Sequence, residues 1–116
     1  MGPLPAEVVT APSWAEIEVD LRGELEFARR SPHDAFAVLN ACRVLHSFRA
    51  NDAVQSKFGS AAWALCHLPA EHHTAIRAAL ATYRGRATDD DARVLARGRQ
   101  SVISLVDAET ARKHDE

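Results

Sequence analysis

The chain has 116 residues, 47% of them apolar and 26% charged, with a formal net charge of −2. That length holds one domain with a core of its own, and the composition excludes a disordered tail, a collagen and a coiled-coil rod. The near-neutral balance carries no general nucleic-acid footprint, and the longest largely apolar stretch, 59–66, is too short to span a bilayer.

No basic start followed by a hydrophobic run reads as a signal peptide. Two cysteines, Cys42 and Cys66, fit a reducing compartment better than a disulfide scaffold, so the expected location is cytoplasmic. Alanine is frequent and β-branched runs are nearly absent. The expectation is all-α.

Residues 1–12 hold Pro3, Pro5 and Pro12 and read as an extended lead-in. Ser13 opens a capping box with Glu16, and Trp14, Ile17, Leu21, Leu25 and Ala28 follow at helical spacing, predicting a first helix over 14–30. Ser31-Pro32 predicts the next start, with Ser as cap and Pro at the first helical position. Helix two then runs to Phe48. Phe36, Leu39, Cys42, Leu45 and Phe48 recur every three residues, with Val38 and Val44 beside them. So wide a stripe predicts a central helix buried on more than one side.

Residues 49–55, with Asn51-Asp52, read as the turn of a helical hairpin. Ser56 caps a third helix over 57–68, with Phe58, Ala61, Ala62, Leu65 and Leu68 inward. Its small residues predict close helix–helix approach. Leu68-Pro69 ends it and opens a fourth helix over 70–84, buried through Ile76, Ala79, Leu80 and Tyr83, with Gly85 as a left-handed C-cap. Thr88 caps a fifth helix over 89–107, whose start is complemented by Asp89, Asp90 and Asp91. Val94, Leu95, Val102, Leu105 and Val106 face in. Residues 108–116 form a charged tail expected to fray. The architecture is a single five-helix bundle over 13–107 with short connections.

The chemistry-bearing residues are few. The glycines are isolated, so no phosphate-cradling loop appears, and there is no nucleophile elbow. Cys42 and Cys66 read as small buried hydrophobes. His67, His72 and His73 straddle Pro69 and lack the spacing of a metal site, so no metal ligand is assigned. Glu16, Glu18, Asp20, Glu24 and Glu26 crowd the first helix and read mostly as a solvated face. Two cations stand apart. Arg43 sits in the middle of the most apolar helix, where it either snorkels to the surface or presents a guanidinium to a phosphate or carboxylate. Lys57 opens the third helix, where the dipole already favours an anion.

The run from Val38 to Leu45 (VLNACRVL), then Ser56-Lys57, Trp63-Ala64-Leu65, Leu68-Pro69 and Tyr83-Arg84-Gly85, resembles the C-terminal helical domain of the aminoglycoside adenylyltransferases that modify streptomycin and spectinomycin. Order and approximate spacing match from about Gly2 to Val106. The resemblance implies transfer of AMP from ATP to a drug hydroxyl by the full enzyme, with magnesium held by an N-terminal nucleotidyltransferase domain that these residues do not contain. It makes ATP and magnesium requirements of the full enzyme only, and it places the activity in antibiotic resistance. No catalytic residue is assigned here.

The same resemblance implies that Arg43 and Lys57 bind the nucleotide phosphates. On the drug side, the family's acid at the start of the arginine-bearing helix matches His33, and its neighbour Asp34 is the implied substrate-binding residue. Asp34 lies one residue, roughly 100°, round the helix from that position. The family's second acid, one turn earlier, matches Arg29, a departure that Glu24 or Glu26 would have to offset. The implied partners are a catalytic nucleotidyltransferase domain or chain and an aminoglycoside, with no nucleic acid and no membrane. The alternative is a non-catalytic helical module derived from this fold and turned to protein interaction.

Overall fold

A computed structural model describes residues 13–50 and 55–115, with side chains as far as Arg112. Five α-helices lie among them: α1 (Trp14–Arg30), α2 (Asp34–Ala50), α3 (Lys57–His67), α4 (His73–Tyr83) and α5 (Asp89–Asp115), with a 3-10 turn at Ala70–His72 before α4. No strand occurs among the described residues, and the fold is all-α. The lead-in 1–12 and the turn residues 51–54 lie outside them.

Local chemistry sets most boundaries. Ser13 Oγ accepts from the Glu16 N–H at 3.2 Å while Glu16 reaches back to the Ser13 N–H, completing the capping box of α1. Such a cap contributes about 1 kcal/mol. Ser56 caps α3 by accepting from the Gly59 N–H at 3.1 Å. Thr88 Oγ1 accepts from the Asp91 N–H and Asp91 answers from its carboxylate, starting α5. Gly85 takes φ +71°, the left-handed geometry a glycine adopts without the Cβ penalty.

The start of α2 corrects the Ser31-Pro32 reading. Ser31 ends α1, its N–H donating to the Ala28 carbonyl, and its hydroxyl accepts from the His33 N–H at 3.1 Å. The first helical bond of α2 runs from the Ala37 N–H to the His33 carbonyl, so the helix opens at Asp34. One serine thus closes one helix and holds the turn into the next, leaving Pro32 between them. α2 also runs on to Ala50, and Gln55 is tied back by its N–H donating to Ser47 Oγ at 2.9 Å.

α2 is the central helix. It packs against α1, α3, α4 and α5, and Val38, Leu39, Cys42, Val44, Leu45 and Phe48 are fully buried. Leu21, Leu25 and Ala28 of α1 and Val102, Ile103 and Val106 of α5 close the core around it. Where α4 crosses α5, a Cβ added at Gly98 would come within 2.7 Å of Ala75 Cβ. The axes approach so closely there that only hydrogen fits.

Four burial expectations fail. Phe58 and Tyr83 are 54% and 43% exposed, and Ala62 is exposed as well. Cys66 is also exposed, whereas Cys42 is buried. Helix five ends at Asp115 rather than 107. Its added turns are anchored: Arg29 reaches Asp107 at 2.8 Å, Arg22 donates to the Thr110 carbonyl at 3.1 Å, and Arg49 pairs with Glu109 at 3.0 Å.

Candidate functional site

The two cations picked out from the sequence come from different helices to one place. Arg43 points from α2 toward α1, and Lys57 is the first residue of α3. Both line a cavity of about 600 Å³ with Asp20, Gly23, Glu24, Phe27, Phe36 and Asn40. The Lys57 ammonium sits 4.9 Å from the Phe36 ring centroid and 5.2 Å from that of Tyr83. A cation held over two aromatic faces gains from their quadrupoles.

Arg43 does not snorkel free of the bundle. Its Nη2 lies 3.4 Å from Glu24 Oε1. Asn40 Nδ2 donates to the Glu24 backbone carbonyl at 3.2 Å, fixing α1 against α2 behind that contact. Arg43 Nε and Glu24 Oε2 are both shielded from solvent and have no hydrogen-bond partner. An unpaired buried donor of this kind is costly and suits an added acceptor.

Asp34 goes elsewhere. It lines neither this cavity nor its neighbour. Its carboxylate accepts from Arg99 Nη1 at 2.7 Å, and Arg99 Nη2 donates to the Ala28 and Arg29 carbonyls at 2.9 and 3.1 Å. One guanidinium thus satisfies the end of α1 and the start of α2 together. Arg29 faces α5, bonded to Asp107 and Glu26. The hydrogen bond to Asp107 raises its pKa further. His33 lines a second, largely apolar cavity of about 760 Å³ with Phe27, Pro32, Phe36 and Tyr83. Phe27 and Phe36 form the wall shared by the two cavities.

The remaining nucleophiles and metal candidates are accounted for. Burial pushes the Cys42 thiol up to about 12, so it stays protonated and inert. His67 and His73 each bond a backbone carbonyl at 2.8 Å, and His72 lies 3.3 Å from Glu71. Among the described residues no three His, Cys, Asp or Glu side chains group as a metal site.

Comparison with protein families matches residues 7–110 to the aminoglycoside adenylyltransferase, C-terminal domain. The chain belongs to this family. No curated protein and no solved structure gives a significant match. In this adenylyltransferase C-terminal domain, the family match takes in both cations, the cavity between them and the Asp34–Arg99 clamp.

The sequence offers Glu24 only as an offset to Arg29 on the drug side, not as the partner of Arg43, and does not single out Asn40. A signal was present: Asp20 and Glu24 are four apart on α1, and Asn40 and Arg43 three apart on α2, so each pair shares a helix face. What hid Glu24 is that carboxylates on an amphipathic helix are usually solvated. Nothing in α1 alone shows that α2 brings a guanidinium against it.

Proposed function

We propose that this helical domain is the nucleotide- and substrate-receiving part of an aminoglycoside adenylyltransferase, with Arg43 and Lys57 binding the phosphates of ATP. The observation that carries the reading is that Arg43, whose buried Nε has no hydrogen-bond partner, lines one cavity together with Lys57. A guanidinium offers phosphate a planar fork and lysine a point charge. The start of α3 adds its dipole at Lys57. Together they hold and orient an oligophosphate. Transfer of AMP to a drug hydroxyl then falls to a nucleotidyltransferase domain, in the same polypeptide or in a second chain.

Amide NMR titration with magnesium-ATP tests this directly. Shifts are expected around Arg43, Lys57 and the start of α2. Arg43→Ala and Lys57→Ala should each weaken binding about tenfold, the size of a charge-assisted contact, while leaving the fold intact. A flat response, or a large stability loss for Arg43→Ala with binding unchanged, overturns the reading.

On the drug side, the resemblance favours Asp34 and the bond to Arg99 opposes it. Streptomycin titration of Asp34→Asn separates the two. Weaker binding, more so at low salt than at high, supports a ligand role. Unchanged affinity with lowered stability assigns Asp34 to the clamp.

The exposed Phe27, Phe58 and Tyr83 favour a second role for the same side of the domain, as a face against the catalytic domain. In the alternative reading, of a non-catalytic module, that face would serve another protein.

A further inference from the structure

Glu24 and Arg43 make a poor ion pair. A guanidinium and a carboxylate that fit each other form two parallel N–H···O bonds of about 2.8 Å. Here there is one approach of 3.4 Å, and the atoms that would complete the fork, Arg43 Nε and Glu24 Oε2, are buried without partners. The Asp34–Arg99 pair shows what the same chemistry achieves when it fits, at 2.7 Å with two further carbonyl contacts. The backbone at Glu24 is pinned by Asn40, so only the carboxylate can move. Beside it, a Cβ added at Gly23 would meet nothing within 4 Å, which leaves the cavity wall open on that side.

We infer that Glu24 is an intramolecular competitor for the phosphate site: its carboxylate occupies Arg43 in the free domain, and an oligophosphate binds by exchange with it. The inference rests on the reading of Arg43 and Lys57 as a phosphate site. A single carboxylate or monophosphate arriving at Arg43 swaps one ion pair for another and gains little. An oligophosphate reaches Arg43 and Lys57 at once, supplies an acceptor to Nε, and outcompetes Glu24. The competitor sets a threshold of charge and length that a ligand must pass.

The test is calorimetric titration of the chain with inorganic triphosphate at low salt, comparing wild type, E24Q, R43A and the double variant R43A/E24Q. Thermal unfolding of each confirms the fold, and E24A gives the same comparison should E24Q fold poorly. E24Q should bind triphosphate about fivefold tighter, the equivalent of the roughly 1 kcal/mol of a partly exposed ion pair. In the R43A background the same substitution should change affinity less than twofold, because nothing is left to compete for. An equal gain in both backgrounds makes Glu24 a background charge and overturns the competitor role. So does an E24Q affinity at or below wild type while R43A still weakens binding, and in that case the phosphate reading stands. If R43A binds triphosphate as the wild type does, the phosphate reading itself fails.

Discussion

Two of the arginine–carboxylate contacts of α2, one near its start and one near its middle, differ in kind. At the start, Asp34 and Arg99 form a short, saturated clamp that also closes the end of α1. In the middle, Glu24 and Arg43 form a long contact with two buried atoms unpaired. The first joins α2 to the distant α5 and the second joins it to the neighbouring α1, and both pair a carboxylate with a guanidinium. The difference teaches where the fold is secured and where it has been left incomplete. The saturated pair secures the fold, and the unsaturated one lines a cavity.

Arg99→Ala should break the comparison hardest. It strips Asp34 of its partner and takes one donor from each of two helix-end carbonyls, and unfolding by denaturant should show a loss of about 3 kcal/mol. Gly98→Ala comes next. The new methyl meets Ala75 at 2.7 Å, so a loss of about 1–2 kcal/mol is expected despite the better helix propensity of alanine. Ala75→Gly in the same chain should relieve the clash and recover part of the loss. Arg43→Ala, at the unsaturated pair, should cost less than about 1 kcal/mol by the same assay, sharpening the contrast with Arg99.

The smallest effect is one of pH. The His46 ring stacks on Trp63 at 4.5 Å, and its Nδ1 lies 3.1 Å from Ser60 Oγ. Burial, and after it the charge of His67, lower its pKa below the usual 6.5. As pH falls through 6.5 the unfolded chain takes up the proton first, so stability declines from there down to the folded-state value and then levels off. His46→Gln should flatten that part of a stability–pH profile.

Most of the fold was legible because its signals are local. Ser13, Ser56, Gly85 and Thr88 each announce a boundary through one hydrogen bond or one dihedral angle, and the apolar stripe of α2 announces its central place. The errors share a cause. Ser31-Pro32 looked like a helix start because the serine's two duties are invisible in isolation. The residues after 107 looked frayed because their anchors, Arg22, Arg29 and Arg49, lie some 60 to 90 positions away. Phe58 and Tyr83 looked like core because aromatic rings at helical spacing usually are. Instead the two rings pack edge to face at 5.7 Å, with the Lys57 ammonium 5.2 Å from the Tyr83 centroid. Of the residues lining the cavity, the sequence singles out Arg43 and Lys57, but it names Glu24 only as a drug-side offset, since the contact with Arg43 exists only once α1 lies against α2.

The unequal cysteines have a practical consequence. Cys66 is exposed near the end of α3, and Cys42 is sealed in the core with its thiol held protonated. A maleimide dye should therefore attach at Cys66 in the native protein with no engineering. Reaction at Cys42 would then need the core to open, so its rate under native conditions becomes a clock for rare excursions of the bundle.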